Sequence, residues 1–433
     1  MAAIAIPLAS CADEAIRRLA TATGSAALAD LSGQTLLGER AMLAGMRISG
    51  RVSAGGGCRL FDALDDTIAL NLSRVADREL LPALFETEPF DSSDDATIAA
   101  LVSRCHAESL VMRGRSMGLA ISAEHETRAA PSNSCDQLAE RTSPSTPRVQ
   151  PATGTSPSTP CIQLAQRAPS APFISLARGC SASASRRARP RVVDFSALWA
   201  GPLASHLLWL AGADVIKVES RKRPDAMRNG DSQFYSLLNQ GKSSVVVDLS
   251  DHNDRQALRA LISTADIVIE ASRPRALAQL GFDAMEIVAT TPGLVWITIT
   301  GHGATNEPAG WVGFGDDCSV AAGLSAALRV ATGRTGFVGD AIGDPLTGIF
   351  AADAAWRAWE SGVGGRIGIA LSDVVAYCLA RCREHEPEVL SQQLIDWNAN
   401  VGAPFPTVAR RSVGNASLFG EHTQSVLARV ATC

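Results

Sequence analysis

The sequence predicts an α/β protein with a Rossmann-like parallel sheet and flanking helices over residues 191–380. Two observations carry this. Short apolar runs alternate with helical stretches through that region, the pattern of βαβ units. Glycine and proline punctuate it, with Gly201-Pro202 opening a helix and Gly212 ending it between two of these runs. A third observation sets the outer organisation. A Ser-, Pro- and Arg-rich tract at 126–190 contains SPSTP twice and separates the α/β region from a small α+β unit at 1–125. Such a composition cannot bury enough apolar surface to offset its ordering entropy, so it is expected to be a flexible, disordered linker. Residues 381–433 are expected to return to the α/β domain.

The elements follow in order. Val192 to Phe195 reads as a buried strand. Gly201-Pro202 opens a helix through Leu210, with proline suited to a first helical position, and Gly212 stops it. Asp214 to Glu219, Ser244 to Leu249, Asp266 to Glu270 and Val295 to Thr300 supply further strands, with a helix over about 254–264 capped by Asp251. Gly362, Gly364, Gly365 and Gly368 mark a helix-to-strand turn. In the first unit, Thr67 to Leu72 reads as a strand. Residues near 77–86 and 96–113 read as helical. Ligands of such sheets lie beyond the carboxyl ends of the strands.

Composition narrows the partners. Hydrophobic residues make up 46% of 433 and the net charge is −5, which gives no basic surface for nucleic acid. The dense basic run Arg186, Arg187, Arg189 and Arg191 reads as linker solvation. Ten cysteines carry no CxxC. Cys378 and Cys382 share a helical face without a second ligand pair, so free thiols and no metal site are expected. No apolar run reaches the length of a membrane span. The opening MAAIAIPLASC lacks a basic leader, and a cytoplasmic location is expected.

Three catalytic motifs fail on their own requirements. The turn Ala197 to Pro202 holds one glycine where a dinucleotide fingerprint needs three. Gly241-Lys242-Ser243 ends like a phosphate loop, but Ser236 stands where its first glycine is required. GxSxG is absent.

Several strings in sequence order carry a resemblance. They are Asp194-Phe195-Ser196 through Ala200-Gly201-Pro202; Leu210-Ala211-Gly212-Ala213-Asp214-Val215-Ile216-Lys217-Val218-Glu219; Asn239-Gln240-Gly241-Lys242-Ser243-Ser244 with the apolar run after it; Ala265 to Glu270 with Arg273-Pro274 and Leu280-Gly281; Ile297 to Gly303; and Gly343-Asp344-Pro345-Leu346-Thr347-Gly348. Together they resemble the CoA-transferase family III pattern (CaiB/BaiF-like, the formyl-CoA transferase and α-methylacyl-CoA racemase superfamily). Leu418 to Thr423 resembles its closing LGEHT. Residues 38–120 resemble pieces of its second domain moved to the front, so the chain reads as rearranged or abbreviated.

The resemblance implies an acyl-CoA:carboxylate CoA-transferase. Its substrates would be a coenzyme A thioester and a carboxylic acid, with no tightly bound cofactor, and the enzyme would be a homodimer. It places the family's nucleophilic aspartate at Asp344, attacking the thioester to give an anhydride and then an aspartyl-CoA thioester. Pro345 is expected at the first helical position, with Asp344 as N-cap in the favourable field of the helix N-terminus. Ala200, Gly201 and Pro202 would let coenzyme A approach the backbone. Arg221, Lys222 and Arg273 would meet its phosphates. Ala271-Ser272 replaces the family's Asn-Phe. Gly55, Gly56 and Gly57 are the candidate for a lid loop over the aspartate. A racemase on the same scaffold is the alternative. Its histidine is missing from Gly313 to Asp317, and Asp316 could act as base only with a raised pKa. A catalytically degenerate CoA-binding protein is the third reading.

Overall fold

A computed structural model describes residues 4–126, 172–181, 187–272 and 274–431. Three antiparallel strands form the first sheet in the order β1 (Cys58–Asp62), β2 (Thr67–Asn71), β3 (Ala120–Ala123). The second sheet has seven strands: β4 (Ile174–Ser181), β5 (Arg191–Asp194), β6 (Asp214–Ser220), β7 (Ser243–Val247), β8 (Ile267–Glu270), β9 (Val295–Thr300) and β10 (Val363–Ala370). Their spatial order is β4-β10-β9-β8-β5-β6-β7, all parallel except β4 on β10. The chain starts the parallel part at β5, winds outward to β7, then returns to β8 on the other side. The crevice between β5 and β8 is therefore the topological switch point.

Alternate residues of the parallel strands serve opposite faces. Val192, Val215, Ile267, Ile269, Ile297 and Ile299 face one core, while Val193, Ile216, Val245, Val268 and Trp296 face the other. The first core is closed by helices Ala200–Leu210, Gly343–Ser361, Leu371–His385 and Pro387–Ala399. The second is closed by His252–Ser263, Ala284–Thr290 and the last helix, Thr423–Ala431.

Four expectations change. Residues 4–48 were expected within the small unit, but they belong to the first large core. Helix Ala9–Thr23 buries Ala12, Ala15, Ile16 and Leu19, and helix Gly33–Leu43 buries Leu36, Leu37 and Ala41, in the same cluster as Leu346 and Phe350. The small side chains of the first helix allow the close approach. Only the region from about residue 51 to 126 forms the small unit, with its own core around Leu70, Leu84, Ile98, Leu110 and Ile121.

Within the expected linker, Ile174–Ser181 is the edge strand β4. Its inner partner β10 offers a free row of backbone groups, and that tertiary pairing overrides a polar composition. The rest of the tract, 127–171 and 182–186, lies outside the described residues. Arg187 and Arg191 do more than solvate a linker, since they pair with Asp266 (3.0 Å) and Asp214 (3.3 Å) at the entry to β5. Gly362 does end a helix with φ 74°, but Gly364, Gly365 and Gly368 lie inside β10. A Cβ at Gly364 would meet the carbonyl of Leu294 at 2.9 Å.

The resemblance to a closing LGEHT has a structural counterpart. Residues 418–423 run along β7, where His422 N donates to Ser244 O (2.9 Å) and Val246 N donates to Thr423 Oγ1 (3.0 Å). An otherwise open sheet edge is thereby covered. Among the described residues no helix is long and apolar enough to cross a membrane. The described cysteines are free thiols, and Cys378 and Cys382 are buried.

Candidate active site

The switch-point crevice holds a groove of about 230 Å³. Its floor comes from Ala197, Leu198, Ala200 and Gly201 after β5, Ala271 and Ser272 after β8, and Ile299 to Gly301 at the end of β9. Val312 to Phe314 and Leu371 close one side, and Asp344 opens into it. Leu198 adopts φ 69° and Ala341, just before Asp344, φ 41°, both in the left-handed region that non-glycine residues seldom occupy. Such strain, where it is held by surrounding structure, gathers at ligand sites. The buried Thr300 Oγ1, also on the groove, has no hydrogen-bond partner among the described residues. A buried unsatisfied hydroxyl marks a place for a polar ligand atom.

Asp344 is not the N-cap. The helix begins at Gly343, so Asp344 sits in its first turn and Pro345 follows it. The backbone bond from Asp344 N to Ala341 O (2.8 Å) tightens this start. The side chain turns to a neighbouring helix, Gly315–Ala321, where Gly315 N donates to Oδ2 at 3.0 Å. Glycine is required at both contacts. A Cβ on Gly315 would lie 2.4 Å from that oxygen, and one on Gly343 would lie 3.0 Å from Gly315 O. Gly348 performs the same service one turn on, where its Cβ would meet Ala200 O at 2.6 Å. The helix carrying Asp344 can thus lie against the helix carrying Ala200 and Gly201.

Burial pushes the Asp344 carboxyl up to about 7. The nearby acids Asp316 and Asp317 add to this, while Arg40 and the Gly315 N–H oppose it. Burial likewise raises Asp316 and Asp317 to about 7. Arg40 is the compensating cation. It comes from helix Gly33–Leu43, chelates the buried Asp340 through Nε (2.8 Å) and Nη2, and lies with its guanidinium carbon 4.7 Å from the centre of the Trp199 ring. Among the described residues Asp344 makes no direct ion pair.

The predicted binding residues divide. Ala200 and Gly201 line the groove. However, the space a Gly201 side chain would need is taken by Ser196, whose Cβ would be 2.1 Å away, so that glycine serves chain packing and not ligand approach. Pro202 lies beneath, its carbonyl accepting from Lys242 Nζ at 2.9 Å. Lys242 is fully buried and also bonds Asp194, Ser205 and Asn239. Lys217 next to it pairs with Asp225 at 2.9 Å. Arg221 and Lys222 are exposed past β6 and do not reach the groove wall, and Lys222 Nζ donates to Ser250 Oγ at 2.8 Å. Arg273 lies outside the described residues. Gly55, Gly56 and Gly57 form an open bend before β1 and do not line the groove, although a Cβ at Gly55 would stand 3.3 Å from Arg40 Nη2.

Sequence reasoning missed Arg40, Arg74 and Thr300. The two arginines lie outside the strings of the α/β region that carried the resemblance; only the fold brings Arg74 to the groove and Arg40 within the field of Asp344. His302 is buried against Asp317 (3.5 Å) and Cys318 (3.8 Å), and is not a groove residue.

The sheet order and the carboxylate at its switch-point crevice place the domain in the doubly wound α/β class, whose ligands lie beyond the carboxyl ends of the strands. Residues 189–389 match the model of CoA-transferase family III. A succinate–glutarate CoA-transferase of Agrobacterium fabrum is 32% identical over 44% of this chain and 52% of its own length. A formyl-CoA:oxalate CoA-transferase of Afipia carboxidovorans is 30% identical over 45% of this chain and 49% of its own length. The crystal structure of a CaiB/BaiF family protein from Brucella suis aligns with 26% identity over 46% of this chain and 57% of its own, at a TM-score of 0.38. The chain spans about half the length of the curated relatives it matches.

Proposed function

We propose that this protein is an acyl-CoA:carboxylate CoA-transferase with Asp344 as its nucleophile. One observation carries the reading: an aspartate carboxylate, held by a backbone N–H and free of a direct ion pair among the described residues, opens onto a largely apolar groove at the switch point of a sheet whose residues match the family III model.

The chemistry balances without a proton. An Asp344 oxygen attacks the thioester carbonyl carbon, the C–S bond breaks, and CoA thiolate leaves with the negative charge. The thiolate then attacks the Asp344 carbonyl carbon of the anhydride and expels the donor carboxylate, leaving an aspartyl-CoA thioester. An acceptor carboxylate attacks that thioester, the released thiolate attacks the new acyl carbon, and Asp344 is regenerated. Each step exchanges one anion for another, so no general base is needed. A groove that holds no histidine among its described lining residues suits this. Splitting one transfer into covalent steps lowers each barrier. Ala200 lies along the groove beside the thioester, and the exposed Arg221 and Lys222, which do not line the groove, are offered to the coenzyme's phosphates beyond it.

Incubation with an acyl-CoA and no acceptor should leave a CoA or acyl adduct on the peptide containing Asp344, read by mass spectrometry. Asp344→Asn should lose the adduct and at least roughly 10³-fold in turnover. An unmodified Asp344 beside undiminished turnover in the variant would sink the proposal.

A second reading, proton exchange at the α-carbon, draws on Asp316, whose carboxyl is raised to about 7 as a base there would require. Asp316 accepts from Ala341 N at 3.0 Å and does not line the groove, which favours transfer. Deuterium entering the α-position without an acceptor acid would reverse that preference.

A further inference from the structure

Away from the groove, three metal-ligating side chains converge in the interior: His302 after β9, and Asp317 and Cys318 on the helix Gly315–Ala321. All three are buried, Asp317 and Cys318 completely. His302 Nε2 stands 3.5 Å from Asp317 Oδ2 and 3.8 Å from Cys318 Sγ, and Sγ stands 3.8 Å from the same carboxylate oxygen. The imidazole–carboxylate spacing exceeds the roughly 2.7–3.2 Å of an N–H···O hydrogen bond. It fits a shared cation better. With bonds of about 2.0–2.3 Å, tetrahedral ligands of a zinc ion stand about 3.4–3.6 Å from one another. Phe314 N donates to Asp317 Oδ1 at 2.9 Å, which fixes the carboxylate as an outer shell fixes a metal ligand. Gly313 keeps side-chain atoms out of the space the other two ligand atoms face. A Cβ there would lie 2.5 Å from Cys318 Sγ and 2.9 Å from His302 Nε2.

We propose that His302, Asp317 and Cys318 bind a divalent metal ion of the zinc type. A borderline-soft ion accepts nitrogen, oxygen and sulfur together, and three protein ligands leave a fourth position for water. Thiolate and carboxylate between them neutralise a divalent cation, whereas a buried carboxylate without a cation is costly. Arg115, whose field reaches Asp317, is committed to Glu126 (2.7 Å) and Ile121 O (3.1 Å). An entry path is present. His302 lines a cavity of about 740 Å³ whose described walls include Asp65, Asp66, Glu108, Glu126 and Asp373. Such carboxylates raise the local concentration of cations. The ion ties the loop after β9 to the helix whose Gly315 N–H holds Asp344. The inference does not depend on the transferase reading. Sixteen positions separate His302 from Cys318, so no metal-ligand spacing is written in the sequence.

Zinc titrated into the reduced full chain, in competition with a chromophoric chelator, should reveal one tight site per chain. Cys318→Ser and His302→Gln should each weaken it at least about 100-fold, since changes one shell further out already cost about 10- to 100-fold. Two controls should leave it unchanged: Cys58→Ser, which removes another buried thiol, and His125→Asn, in the second group of possible ligands, Asp66, Glu124 and His125. Cobalt(II) in place of zinc should give a sulfur-to-metal charge-transfer band that Cys318→Ser abolishes. A wild-type chain that binds no zinc overturns the proposal. So does binding that survives both Cys318→Ser and His302→Gln, or binding that is lost in His125→Asn instead. Circular dichroism of the metal-free variants reports their folding. If Cys318→Ser and His302→Gln do not fold, X-ray absorption at the zinc edge of the wild-type complex decides. One sulfur at about 2.3 Å with nitrogen and oxygen donors is expected, and a shell with no sulfur or with several overturns the assignment.

Discussion

At the scale of single residues, the site is governed by an unequal count of charges. Asp316, Asp340 and Asp344 gather near one cation, Arg40. Burial raises the Asp344 carboxyl to about 7, yet its proposed role needs the ionised form. Activity should therefore be low in acid and rise with pH, with kcat/KM levelling off above an apparent pKa near 7. Removing Arg40 takes away a charge that favours ionisation. The paired change Arg40→Met with Asp340→Asn avoids a lone buried carboxylate, and it should move the acid limb to higher pH. A pH–rate profile checks both statements, and a limb staying near pH 4 would contradict the first. Gly315→Ala places a methyl 2.4 Å from Asp344 Oδ2 and 2.2 Å from Ala341 O. The Asp344 carboxylate must then shift. A displacement of about 1 Å costs on the order of 10²-fold in rate, measurable as adduct formation per unit time.

At the scale of elements, the resemblance strings turn out to be scaffolding as much as site. Lys217, Glu219, Asn239 and Lys242 are buried in one network with Asp194 and Asp225 beneath the turn that bears Ala200 and Gly201. Burial lowers the Lys242 ammonium to about 8, against the pull of Asp194. Lys242→Ala should cost about 3–5 kcal/mol in chemical denaturation, because it breaks a buried ion pair and strands several acceptors. Gly348→Ala would force the helix carrying Asp344 off Ala200 O. An overpacking cost of about 1–3 kcal/mol is expected, together with a loss of activity beyond that of a surface control.

At the scale of the whole molecule, the large core is closed by chain from both ends of the sequence. Leu19 is 1% exposed in the same cluster as Leu203 and Leu346. Leu19→Ala should cost about 2–5 kcal/mol and lower the same unfolding transition as Leu203→Ala. Deleting residues 1–48 would remove Arg40 and the helices Ala9–Thr23 and Gly33–Leu43, which pack on the helix Gly343–Ser361 in the large core. That truncated chain should lose cooperative unfolding by calorimetry. A sharp transition at the original temperature would show that the N-terminal helices are dispensable.

The sequence by itself determined strands β2 and β5 to β9, the turn at Ala200 to Pro202, the strings that match the family model and Asp344 as a candidate, because each is written in neighbouring residues. Strands buried on both faces carry dense apolar runs, and Val192-Val193, Val215-Ile216, Ile267 to Ile269 and Val295 to Ile297 mark β5, β6, β8 and β9 in the sequence even though polar residues such as Lys217 and Glu270 are buried among them. The tertiary structure decided the rest. β4 exists because β10 offers it an edge, and its own residues are too exposed to announce it. Helix Ala9–Thr23 could have packed on either unit until the large core was laid out. Arg40 meets Asp340 across 300 positions, and Arg74 reaches the groove of Asp344 from the start of the helix Val75–Glu79 in the small unit. Local periodicity carries no information about such partners. Burial and the field of distant charges, which set the ionisation of Asp344, arise only once the chain has closed around it.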